Sequence, residues 1–141
     1  MRIGIVGSEA IKFTPDTEKV ARQHIAHLLG PGDVVISGGC HLGGIDAWAA
    51  EIGRLLGLEV IEYLPVQHQW NGGYKERNLK IAQDSDRVVC ITVKVLPPNY
   101  RGMRFARCYH CQTDQHVKSG GCWTVKQARQ LGKPGEVIVV G

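Results

Sequence analysis

At 141 residues, with 43% hydrophobic and 21% charged side chains, the chain is long enough to bury one substantial core and too ordinary in composition to be disordered. Its start, MRIGIVG, is too short an apolar run for a signal peptide, and no later run approaches the roughly 20 residues of a membrane helix, so a cytoplasmic protein without membrane contact is expected. A formal net charge of +4 suits an anionic ligand but is too small an excess to mark a nucleic-acid-binding protein by itself.

Arg2 to Val6 reads as a short buried strand, and Thr14-Pro15-Asp16-Thr17-Glu18 supplies cap-like residues for an amphipathic helix ending near Leu28-Leu29-Gly30-Pro31-Gly32. Asp33 to Ser37 follows as a strand, Ile45 to Leu56 as a helix closed by Gly57, and Glu59 to Tyr63 as a third strand. The rhythm continues with a helix over Tyr74 to Gln83, a strand over Arg87 to Val93, a helix over Thr124 to Leu131 stopped by Gly132, and a last strand over Val137 to Val140. Such alternation predicts parallel strands joined by right-handed crossovers. The expected fold is α/β: a Rossmann-like three-layer sandwich with a mainly parallel five-stranded sheet, one domain over residues 1–141. Ligands of such sheets bind beyond the carboxyl ends of the strands, near the switch in strand order. One segment breaks the pattern, an insert over about residues 96–122 that is too rich in Pro, Arg, Cys and His for a simple loop.

Two glycine clusters stand at strand-to-helix junctions. In ISGGCHLGGIDAWAAE, Gly38, Gly39, Gly43 and Gly44 crowd into seven positions before the second helix. Bare backbone there either makes a tight turn or lets N–H groups and the helix N-terminus hold a phosphate or carboxylate. The spacing is neither GxGxxG nor a P-loop, so nicotinamide dinucleotides and ATP hydrolysis gain no support. Ser37, Gly38 and Gly39 offer hydroxyl and backbone donors, Gly43 and Gly44 allow close approach, and Asp46 either accepts from a sugar hydroxyl or caps the helix. Ser119, Gly120, Gly121 and Thr124 form a second donor-rich helix start of the same kind. Between the clusters, Trp70 sits in a Gly-containing loop, either as a stacking lid over a base or as core packing. Arg77, flanked by Glu76 and Asn78, has the donor fork that matches anionic oxygens, or else pairs at the surface with Glu76 or Asp84.

The insert carries Cys108, Cys111, His116 and Cys122 as C-x2-C-x4-H-x5-C. Three thiolates and an imidazole complete a tetrahedral zinc shell and leave no open position, which predicts structural zinc; His110 is an alternative to His116. Cys40 and Cys90 read as loop and core residues. Asn99 to Arg107 interleaves Arg101, Arg104 and Arg107 with Tyr100 and Phe105, a pattern found both in nucleic-acid-binding strips and in solvated loops.

Four blocks in register resemble the SLOG superfamily, which includes Lonely-Guy phosphoribohydrolases, the DNA-processing protein A of transformation, and small proteins similar to YspA and YpsA. They are MRIGIVGS, SGGCHLGGIDAWAAE, YKERNLKIAQDSDRVVCI and SGGCWTVKQARQLGKP. The resemblance covers nearly the whole chain except the insert. It implies a pocket for a nucleotide or nucleotide-derived ligand where the glycine loops meet, with Gly7 and Ser8 of the first block at its edge, Arg77 on the phosphate or the glycosidic centre, and a homodimer as a common assembly. Gln127 stands where the Lonely-Guy enzymes carry a Glu needed for chemistry at the sugar, and Trp123 replaces a glycine of their motif. An amide supplies neither a proton acceptor nor a charge for an oxocarbenium-like centre, which favours binding. Two alternatives remain: an N-glycoside hydrolase for nucleoside monophosphates, using Arg77 with Glu76 or Asp46, and a DNA-binding module of the DNA-processing type.

Overall fold

The computed structural model describes all of residues 1–141. Five strands, β1 (Arg2–Gly7), β2 (Val34–Ser37), β3 (Glu59–Glu62), β4 (Arg87–Val93) and β5 (Gly135–Val140), form one sheet in the order β3-β2-β1-β4-β5. Every pairing is parallel, so the expectation of a mainly parallel five-stranded sheet is met in full. Four helices cover it: α1 (Pro15–Leu28) and α2 (Ile45–Leu55) on one face, α3 (Lys75–Asp84) and α4 (Gly121–Gln130) on the other.

Alternation along the central strands builds the two cores. Ile3, Ile5, Val89, Ile91 and Val93 face α1 and α2, packing on Ala21, Ile25, Ile45 and Trp48. Val6, Val88 and Cys90 face α3 and α4, packing on Ile81, Ala82, Cys122, Val125 and Ala128. A strand covered on both faces reads as a continuous apolar run, as β4 does.

Local chemistry sets the helix ends. Thr14 caps α1 through a reciprocal box with Thr17, and Pro15 occupies the first helical position, where its missing N–H costs nothing. Gly44 precedes α2 at φ +86°, and a Cβ there would strike the Ser8 carbonyl and the backbone of Glu9 and Ala10. That contact lets the Ile45 N–H donate to the Ser8 carbonyl at 3.2 Å, tying the start of α2 to the end of β1. No helix is long and apolar enough to cross a membrane.

Two boundaries differ from the sequence expectation by more than one residue. The helix expected from Thr124 begins at Gly121, because Gly120 already has helical dihedrals (φ −62°, ψ −25°) and the second glycine loop is itself the first turn. The last strand starts at Gly135, whose pairing with Val88 extends the ladder. Two short turns, a 3-10 turn at Ala10–Lys12 and a π-type turn at Trp70–Tyr74, carry no apolar periodicity and escape pattern reading.

Candidate functional site

The chain runs from β1 outward to β2 and β3, then crosses back to β4 and β5, so the order reverses between β1 and β4. A cavity of about 540 Å³ opens at that point, beyond the carboxyl end of β1. Gly7 and Ser8 form its floor, and the Ser8 hydroxyl is bonded to Thr92 Oγ1 at 2.8 Å. Gly120 and Gly121 bring the N-terminus of α4 to one wall, with Ser119 beside them. A Cβ on Gly121 would lie 2.8 Å from Cys90 Sγ and 3.1 Å from the Gly7 nitrogen, so only glycine lets this helix end sit against β1.

Two lysines stand on the same wall: Lys12 from the 3-10 turn, whose Nζ donates to the Lys118 carbonyl at 3.3 Å, and Lys118 itself. Burial pulls the Lys12 ammonium below its ordinary range, with Glu9 opposing and Lys118 adding to the effect. A dianion placed between the two lysines would relieve their repulsion and meet the helix partial charge at once. Trp70 and Trp123 lean edge to face at 5.0 Å on the same cavity, and Tyr74 adds a third ring. Trp70 is 39% exposed, which places it at the mouth rather than in the core.

Arg77 and Asp46 form the buried polar corner. The Arg77 Nη1 donates to the Gly38 carbonyl at 2.5 Å and its Nε to Asn78 Oδ1 at 2.7 Å, so the guanidinium is buried and held, and the surface pairing with Glu76 or Asp84 does not form. Gly38 lies between the two groups: a Cβ there would collide with Arg77 Nη1 and lie 2.7 Å from Asp46 Oδ2. Asp46 is 6% exposed, lines the cavity, and leaves Oδ1 without a hydrogen-bond partner. A buried orphan acceptor facing a cavity suits a donor on a ligand.

Burial pushes the Asp46 carboxyl up to about 6, although Arg77 and the Gly7 N–H pull it down. With the folded value above an unfolded value of about 3.9, the native state holds the extra proton between those limits, and the stability this gives is present at low pH and lost as pH rises through 6. Asp46→Asn is therefore expected to gain on the wild type by about 3 kcal/mol between acidic and neutral pH, at about 1.36 kcal/mol per unit. Thermal unfolding of both proteins on either side of that window checks it; a pH-independent difference between them would contradict the buried, raised carboxyl.

The remaining sequence candidates lie elsewhere. Ser37 is fully buried and its hydroxyl donates to the Asp46 carbonyl at 2.7 Å. Gly39 faces Leu64 and Glu62, and Gly43 and Gly44 pack toward residues 8–10, so the first cluster shapes the chain behind the cavity more than its wall. Thr124 is buried with an unpaired hydroxyl, off the wall. Glu76 is exposed and off the wall, leaving Glu9 and Asp46 as its acids. Sequence reading missed Glu9, Lys12, Tyr74, Tyr109, His110 and Lys118 here. Only Lys118 carried a local signal, standing directly before Ser119.

The insert folds as a tight knuckle. The Cys108 and Thr113 backbones bond each other in both directions, at 2.8 and 3.2 Å, and the Val117 N–H donates to the Val93 carbonyl, fixing the returning chain to the end of β4. This gathers Cys108, Cys111, His116 and Cys122 with their ligand atoms within 4.8 Å of one another, a set that could hold a metal ion; His110 is not part of it. His116 donates from Nδ1 to the Val117 carbonyl at 3.0 Å, which orients the ring and leaves Nε2 for coordination. Burial raises the Cys108 thiol, but the N–H groups of Cys111, Ser119 and His110 outweigh it and hold the thiol below its usual range. Burial and the neighbouring sulfurs push Cys111 up to about 12, and the contact with Cys90 together with burial pushes Cys122 up as well. Three thiols this close ionise together only with a cation among them.

No protein-family model and no curated protein sequence matches the chain. Solved structures do match in fold. The molybdenum cofactor carrier protein of Chlamydomonas reinhardtii is similar at 17% identity with a TM-score of 0.62, over 96% of this chain and 74% of that one. A structural-genomics target, TM1055, is similar at 17% identity and 0.59, over 95% of this chain and 71% of the other. DNA processing protein A of Streptococcus pneumoniae is similar at 16% identity and 0.59, over 96% of this chain and 49% of its own length. At these identities the likeness shows the fold, and that fold is the one implied by the SLOG resemblance.

Proposed function

We propose that the cavity at the β1–β4 switch binds a nucleotide or nucleotide-derived ligand, its phosphate against Lys12, Lys118, Ser119 and the start of α4, and its base toward Trp70 and Trp123. The observation that carries this reading is that one cavity is lined by two lysines, a helix N-terminus, Ser8 and Ser119 together with the rings of Trp70, Tyr74, Tyr109 and Trp123. Asp46 Oδ1, with no partner of its own, would accept from a sugar hydroxyl between them. Support also comes from the same fold serving a molybdenum cofactor carrier and a DNA processing protein. The metal of the insert is zinc, since three thiolates and one imidazole match its preferred tetrahedral shell, and it is structural because four protein ligands leave no place for a reacting water.

Phosphate-bearing nucleotides are expected to stabilise the fold by about 2.7 kcal/mol at 100 times the dissociation constant, and the matching nucleosides by much less. Equal thermal shifts for the two would remove the phosphate end of the site. Free base should not accumulate from nucleoside monophosphates: Gln127 lies off the cavity wall and Glu76 faces solvent. The hydrolase reading rests on Asp46, the buried acid on the wall; base release that vanishes in Asp46→Asn and Arg77→Ala would establish it.

A further inference from the structure

Charge is divided unevenly along the chain. Residues 1–86 hold eight Lys and Arg against eleven Asp and Glu, so the whole positive excess lies in residues 87–141. Between Asp86 and Glu136 the one carboxylate side chain is Asp114, against nine lysines and arginines. A net charge of +4 conceals this asymmetry, which is of the kind that polyanions select.

The insert concentrates it in a strip. Arg101, Arg104 and Arg107 are all exposed, and none makes an ion pair. Arg104 lies over the Tyr100 ring at 5.5 Å and donates to its carbonyl at 3.0 Å, which holds the guanidinium at the surface without neutralising it. Phe105 and Tyr109, 43% and 53% exposed, meet edge to face at 5.9 Å, and the Lys118 ammonium stands over both, at 4.9 and 5.4 Å. Tyr109 and Lys118 also line the cavity. Exposed rings interleaved with unpaired cations therefore lead to the mouth of a site with the size and chemistry for one nucleotide.

We infer that the strip from Arg101 to Lys118 is a binding surface for single-stranded nucleic acid, whose terminal nucleotide enters the cavity. Arginines spaced along the segment meet successive phosphates, while Phe105 and Tyr109 offer faces on which splayed bases stack without regard to sequence. Duplex bases are already stacked on each other and cannot use those rings. An anionic membrane would satisfy the arginines, but it has no end to place in the cavity. The entry of the terminus rests on the nucleotide-site reading; the strip's affinity is separately measurable.

The experiment is fluorescence anisotropy of a short end-labelled oligothymidylate over a salt series, with wild type, Arg101→Ala/Arg104→Ala/Arg107→Ala, and Phe105→Ala, beside the thermal shift given to each by a nucleoside monophosphate. The triple variant is expected to lose at least tenfold in oligomer affinity and to flatten the log–log salt slope by about 2, at about 0.7 per phosphate contact on single strands. Phe105→Ala should lose at least fivefold with the slope unchanged, and neither variant should alter the mononucleotide shift. Oligomer affinity indifferent to both variants beside a normal mononucleotide shift overturns the strip and leaves the cavity reading standing. Strip-dependent oligomer affinity with no mononucleotide shift supports the strip and overturns the cavity reading. Equal affinity for a duplex of the same length, equal competition by inorganic polyphosphate, or binding to phosphatidylserine vesicles that the oligomer does not displace would each overturn the inference.

Discussion

Removing the metal proposed for the insert is expected to weaken the proposed nucleotide binding at least tenfold while the sheet stays folded. Tyr109 and His110 lie between the ligands Cys108 and Cys111, and Lys118, Ser119, Gly120 and Gly121 lie between His116 and Cys122. Part of the cavity lining is thus strung between residues of the candidate metal cluster. Residues 94–120 contain no helix or strand, and apart from the knuckle's own bonds the chain is tied to the sheet chiefly at Val117. A structural zinc contributes on the order of 10–16 kcal/mol of apparent binding energy in small peptides, far more than those few hydrogen bonds supply. Elemental analysis of wild type and Cys111→Ser, far-ultraviolet circular dichroism, and titration of a nucleoside monophosphate with and without chelator test it. Well below one zinc per chain in wild type removes the metal claim; a full complement whose loss leaves affinity unchanged keeps the metal and severs it from the site.

Lys12→Ala/Lys118→Ala is expected to cost at least 100-fold in nucleotide affinity and little for the nucleoside. Each charge-assisted hydrogen bond to a buried anion contributes about 1.5–3 kcal/mol, and both lysines line the cavity. The effect on the empty protein should be small or favourable, because burial already disfavours the Lys12 charge and Lys118 repels it. Paired titrations of nucleotide and nucleoside decide it: a double variant that still prefers the phosphorylated form places the phosphate elsewhere.

Most of the layer architecture was legible because the buried strands and amphipathic helices obey their periods, and because Thr14, Pro15 and Gly57 punctuate them in the usual way. The metal set was legible because all four ligands fall within fifteen residues, so sequence spacing nearly fixes spatial distance. The cavity wall was legible only in part: Gly7, Ser8, Asp46, Trp70, Arg77, Asn78, Ser119, Gly120 and Gly121 line it, and most of the rest carried no local signal. Lys12, Tyr74 and Lys118 come from turns and loops far apart in the chain, and their meeting depends on the β1–β4 crossing rather than on any local pattern. The first glycine cluster misleads for a related reason: Gly38 makes room for Arg77 and Asp46, and Gly44 for the Ser8 carbonyl, so its bareness accommodates the protein's own atoms.

β1 begins at the second residue, yet in the sheet it is central and pairs with β4, Gly4 opposite Val88. Its partner on one side is thus made about sixty per cent of the way along the chain, and loop closure over so many residues is what slows parallel sheets. A nascent or refolding chain must hold an apolar first strand with one edge open until β4 arrives, which makes the interval before that docking the period of greatest exposure to aggregation. The knuckle and α4 follow β4 in sequence and β5 follows α4, so on the ribosome the cavity is completed after strands β1 to β4 and only the edge strand β5 emerges later.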